Sequence, residues 1–149
     1  MNVVKSIASL GLVAFLAACG SADRYAVDMP PVTEQVSIRF NSVEVRDVSL
    51  PSYAAADEIH VRKSNGTLVS SSDELWADSP ERAVALELSE NLSRLTNRRI
   101  ASEPWPFEAY PDARLELRFS ELLAAETGQF RASGQYFVAV STGGSERSG

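Results

Sequence analysis

The chain has 149 residues, with 20 acidic against 14 basic side chains and a formal net charge of −6, and is long enough for one domain with its own core. That acidity argues against nucleic acid as a partner and against a polybasic membrane patch, since both reward basic surface. One cysteine excludes an internal disulfide, and a single histidine beside it argues against a zinc site.

The first 20 residues read "MNVVKSIASLGLVAFLAACG". Lys5 and the amino terminus give a positive start, an apolar run follows from Ile7 to Ala18, and small residues precede Cys19. This is the layout of a secretory signal peptide over residues 1–18. The run is too short for a permanent span, which needs roughly 20 apolar residues. Leu16-Ala17-Ala18-Cys19 also resembles the bacterial lipobox, in which the thiol receives a diacylglycerol and cleavage makes the cysteine the first mature residue. A further acyl chain, such as palmitate, can join its amine, and two or more chains anchor stably where one does not. Gly20 in place of an aspartate points to the outer membrane. Cys19 is therefore the expected site of lipid attachment.

Residues 19–24 read as a lipidated tether, 25–141 as the folded domain, and 142–149 as a disordered polar tail. Tyr25 to Val27 suggest a short strand, broken by Pro30 and Pro31. Val36, Ile38 and Phe40 alternate with polar residues, as do Val43 and Val45, so two strand halves are expected with a bulge or turn at Asn41-Ser42. "DEIHVRKSNGTLVSSS" reads as a hairpin turning at Asn65-Gly66, because both residue types tolerate positive φ. Ile59 and Val61 share one face, which leaves His60 on the polar face.

The clearest element is a helix over 79–97. Ser79 suits the N-cap, Pro80 the first helical position and Glu81 the dipole. Val84, Leu88, Leu92 and Leu95 form the stripe expected to pack on a sheet, with Ala85 at its edge. Glu90 and Arg94 make an outward i, i+4 pair. Leu86 falls on the opposite side. "ASEPWPFEAYPD" is extended and proline-rich. Leu115, Leu117 and Phe119, then Phe130 to Val140, alternate as an antiparallel pair turning across 124–129. The fold class is α+β, with a largely antiparallel sheet packed by this one amphipathic helix.

No catalytic constellation is present. No serine lies in a Gly-x-Ser-x-Gly elbow. Asp57-Glu58 and Asp73-Glu74 are adjacent pairs, which do not face each other as an acid and a base must. No glycine loop cradles phosphate, and neither a metal nor a cofactor is expected. Tyr53, Trp76 and Trp105 sit near loops, where large aromatics serve either as core caps or as interface anchors. Together with Leu86 they are candidates for a partner or oligomer interface.

The ordered string Leu50-Pro51-x-Tyr53, Asn65, Leu68, Trp76, Asn91-Leu92 and Pro104-Trp105-Pro106, behind a lipobox, resembles the ABC-type transport auxiliary lipoprotein family, which includes the paraquat-inducible PqiC proteins. The resemblance covers roughly residues 19 to 140. It implies a non-enzymatic, outer-membrane-anchored subunit facing the periplasm. Such a subunit would form homo-oligomeric rings and partner an MCE-domain protein in lipid trafficking and membrane integrity. It also implies a further strand and a closing C-terminal helix, which are missing here, so apolar sheet would be left exposed. The alternative is a solitary lipoprotein that binds lipid or another small ligand in the envelope.

Overall fold

The computed structural model describes residues 21–141 and 147–149. The leader and Cys19 lie outside the described residues. Among the described residues, eight strands and one helix follow in chain order. These are β1 (Asp23–Tyr25), β2 (Ser42–Val45), β3 (Glu58–Arg62), β4 (Leu68–Trp76), α1 (Pro80–Thr96), β5 (Arg99–Ser102), β6 (Ala113–Ala125), β7 (Phe130–Val140) and β8 (Arg147–Ser148). Strand β1 begins inside the expected tether, and β8 lies inside the segment expected to be a disordered tail.

The sheet is organised around β6. On one edge β6 pairs along its length with β7, antiparallel, from Ala113↔Val140 to Ala124↔Phe130. Two strands share its other edge. Strand β2 runs parallel to its start (Val43↔Ala113) and β3 parallel to its end (Val61↔Ala124). Beyond β2 lies β5, parallel, and beyond β3 lie β4, antiparallel, and then β1, parallel to β4. The sheet is therefore mixed and not largely antiparallel. The alternation in the sequence fixes which face a side chain takes but carries no information about strand direction. The parallel partners β2 and β6 are joined through everything between them, including the helix, as parallel pairing requires.

Both hairpins reverse through the same device. In the first, Gly66 N–H donates to Lys63 O and Lys63 N–H to Thr67 O, both at 2.8 Å. In the second, Gly128 N–H donates to Ala125 O and Ala125 N–H to Gln129 O. Gly66 (φ 88°) and Gly128 (φ 81°) take the left-handed position that closes such three-residue loops. The turn at Asn65-Gly66 is thus present, but only Gly66 has positive φ. Asn65 instead uses its side chain, accepting from Thr67 N–H at 3.0 Å.

Glu126 ties the two loops together. Its carboxylate accepts from the Ser64 hydroxyl and from Ser64 N–H (2.6 Å), and lies 3.4 Å from Lys63 Nζ. The Ser64 hydroxyl, its backbone N–H and Lys63 hold the Glu126 carboxyl below its ordinary value. A depressed folded-state pKa means this contact contributes at pH values above the unfolded pKa and is lost as pH falls through the lowered one. A carboxyl-carbon NMR titration is expected to give Glu126 a midpoint below that of a free glutamate. Ser64→Ala should move it back upward, and an unmoved midpoint would count against the contact.

The stretch Val36 to Phe40 is not a strand. Val36 N–H donates to Leu95 O at the end of α1 (2.8 Å), and Val36 itself is half exposed. The alternation there follows a path across the helix end. Regular pairing starts only after Asn41 N–H and Ser42 N–H meet the Asp112 carboxylate at 2.7 and 3.3 Å, with Asp112 N–H returning to Ser42 Oγ at 3.0 Å. Strand β5 was not anticipated, because "RIAS" carries one apolar residue of consequence.

The core lies between α1 and the β2–β6 half of the sheet. Val45, Val48 and Ala85 are its most buried members, with Leu88, Leu92, Ile100 and Leu115 packed around them. Ala85, expected at the edge of the helix stripe, is fully buried at its centre. Ser89 and Thr96 are buried as well, where small side chains let the helix approach the sheet. Their hydroxyls donate one turn back, to Leu86 O (2.8 Å) and Leu92 O (2.7 Å), so burial leaves neither unpaired. Ser79 occupies the N-cap position, but its hydroxyl donates to Glu81 Oε2 (2.9 Å) and caps no backbone group. The helix ends at Asn97, in the left-handed conformation at φ 52°. Glu90 and Arg94 form the expected pair.

The other face of β6 is charged. Glu44 on β2 stands opposite Arg114 on β6, and Arg114 Nε donates to its carboxylate at 2.6 Å. Further along, Glu121 is held between Arg62 (2.9 Å) and Arg131 (3.3 Å).

Candidate functional site

Because β2 and β3 share one edge of β6, the helix cannot cover both halves of the sheet. It packs on β5 and β2. Toward the β3 end, the sheet leaves it, and a groove of about 480 Å³ opens between them. Leu117, Phe119 and Leu122 of β6 and Ala132 of β7 line it from the sheet, and Val84 and Leu88 from the helix. A register break between Phe119 and Glu121 keeps this wall apolar, since without it Leu122 and Ala124 would turn to the charged face. The segment after β1, Ala26 to Met29, lines it too.

The structure brings two of the four expected interface residues together in this groove. Tyr53 and Trp76 both line it. Trp76 ends β4, where it pairs with Tyr25 of β1 and donates its backbone N–H to Asp57 O at 2.8 Å. The other two lie elsewhere. Leu86 is 39% exposed on the outer side of α1. Trp105 is half-buried in the loop before β6, donating Nε1–H to Ala109 O (2.7 Å) and meeting Phe107 edge-on at 4.9 Å.

His60, expected on a polar face, lines the groove beside Ile59. The β3–β4 register breaks between Glu58 and His60, so neighbours in sequence share one face. Its Nδ1 lies 3.0 Å from Glu58 O. A carbonyl only accepts, so Nδ1 carries a hydrogen. Tyr53 stands 6.4 Å away, ring to ring. Asp28 and Glu87 are the acidic side chains of the lining, Tyr53 and Trp76 bring a hydroxyl and an indole N–H, and no lysine or arginine contributes. Neither carboxylate joins an ion pair among the described residues.

Sequence reasoning missed the groove as a site. Its residues come from five elements, and each reads locally as ordinary core. The one signal was the apolar alternation that continues through Phe130 to Val140. Phe130 is 64% exposed and Tyr136 48%. Among the described residues no cluster of three or more metal-binding side chains occurs, and no helix is long and apolar enough to cross a membrane.

A family model described as "ABC-type transport auxiliary lipoprotein component" matches residues 25–148. The chain belongs to the ABC-type transport auxiliary lipoprotein family. A search of curated proteins finds no match. Among solved structures, an uncharacterised protein is similar at TM-score 0.65 and 17% identity, over 87% of this chain and 77% of that one. A protein from Xanthomonas campestris assigned to family DUF330 is similar at TM-score 0.55 and 15% identity, over 87% and 73%. At these identities the likeness shows a shared fold. The auxiliary-lipoprotein assignment agrees with the resemblance carried by the Leu-Pro-x-Tyr turn, the tryptophan before the helix and the Asn91-Leu92 pair.

Proposed function

We propose that this auxiliary lipoprotein is a non-enzymatic docking or ring subunit of an MCE-type lipid-trafficking system. It is anchored in the outer membrane through acylated Cys19 and faces the periplasm. The observation that carries the reading is the family match across nearly the whole folded part of the chain. The lipobox ahead of it supplies the anchor, and the outward Leu86 and the Trp105–Phe107 cluster offer apolar contact surface for copies of the chain or for the MCE-domain partner.

The anchor is tested by Cys19→Ser. The variant is expected to take up no labelled palmitate, to persist as the uncleaved precursor and to leave the outer-membrane fraction. Normal processing and fractionation of the variant would rule out a lipoprotein anchor at Cys19.

The groove favours a second reading, in which the protein itself holds a lipid or another small apolar ligand. Its volume falls within the roughly 300–1,000 Å³ typical of ligand sites, and its walls are apolar with few polar groups.

A further inference from the structure

We infer that the β3–β4 turn, Lys63–Thr67, rests in the phospholipid headgroup layer of the membrane that holds the anchor, with the Tyr110 end of the domain directed away from it. The inference rests on the acylation of Cys19 proposed above and adds which part of the folded domain meets the bilayer.

Strand direction and chain length dictate the contact. Strand β1 runs parallel to β4 with Asp23 opposite Glu74, so the chain ahead of Asp23 leaves toward the Leu68 end of β4. That end carries the β3–β4 turn, and Glu126 N–H, donating to Arg62 O at 3.0 Å, holds the β6–β7 turn beside it. Four residue steps separate Cys19 from Asp23, a reach of at most about 14 Å. Along β3, from Glu58 opposite Leu75 to Arg62 opposite Leu68, the sheet extends roughly 13 Å in the same direction, and the turn extends beyond it. A taut tether therefore ends level with the turn, and any slack draws the turn into the headgroups. Tyr110 lies at the other end, just before β6, whose 13 residues span roughly 40 Å. Tilting the domain onto its β1 edge does not bring Tyr110 down, because β5, which leads into its loop, lies at the opposite edge of the sheet.

The surface of the turn suits headgroups. Ser64, Asn65 and Thr67 are exposed polar residues. Lys63 lies 3.4 Å from Glu126, and Arg62 and Arg131 flank Glu121, so the charges nearest the turn are paired. Leu68 and Val69, exposed directly behind the turn, offer apolar surface to the boundary between headgroups and acyl chains.

The test uses the full chain, acylated in cells, in vesicles of phosphatidylethanolamine and phosphatidylglycerol, with and without a lipid that bears a nitroxide on its headgroup. Thr67→Cys and Tyr110→Cys each take a fluorophore, since the thiol of Cys19 is consumed by its thioether to glycerol. The mass of each purified chain reports acylation, and flotation with the vesicles reports anchoring. The label at position 67 is expected to lose most of its emission to the nitroxide, and the label at position 110 to keep most of its own. Equal emission at the two positions, quenched or not, or the greater loss at position 110, in an acylated chain that floats, would overturn the orientation and leave the anchor standing. A chain that carries no acyl group would overturn the anchor and the orientation with it.

Discussion

Gly134→Ala is expected to destabilise the protein by about 2–3 kcal/mol, as overpacking at an unyielding site does. Gly134 lies on β7 opposite Phe119 of β6, beside the register break. A Cβ there would stand 2.8 Å from Phe119 Cα and closer still to the Arg118 carbonyl oxygen. Both obstacles are backbone, so no side-chain rotation relieves them. The β6 strand would have to move, and with it the pairing that holds β2 and β3 to its other edge. Urea unfolding measures the loss. A change below about 0.5 kcal/mol would mean that β6 and β7 do not pair in this register.

The second large effect contrasts neighbours on the helix. Ala85→Asp should cost about 3–5 kcal/mol, because it places an unpaired charge where Val45 and Val48 leave no water. Leu86→Asp should cost no more than about 1 kcal/mol, since Leu86 is partly exposed and the change mainly lowers helix propensity. The pair fixes the rotation of α1 on the sheet. Equal costs at the two positions would show the helix turned away from the face described. A Leu86→Asp protein that is stable yet no longer assembles would assign that leucine to a subunit contact.

These positions also show what the sequence could convey. The helix was legible because its leucines recur at helical spacing and Pro80 marks its start. The centre of its buried face was not legible. Ala85 and Ser89 carry little hydrophobic weight, yet being small they sit nearest the sheet, and the leucines flank them. The β6–β7 hairpin was legible from sustained alternation on both sides of a glycine turn. Parallel pairing of β2, β3 and β5 was not, because alternation reports faces and is silent on direction. Val36 to Phe40 alternates as a strand does, but its first N–H goes to Leu95 O at the end of the helix. His60 was misplaced for a related reason, since one break in register defeats a period of two. The groove follows from the forked edge of β6, and no local window of sequence contains that fork.

The proposed auxiliary subunit would act with an MCE-domain partner. The most direct test is to purify the tagged, acylated chain from detergent-solubilised envelope and weigh the eluted species. An oligomer of this chain carrying an MCE-domain protein is the expected species. A monomer that elutes without that protein would contradict the docking role and leave the chain a solitary ligand-binding lipoprotein.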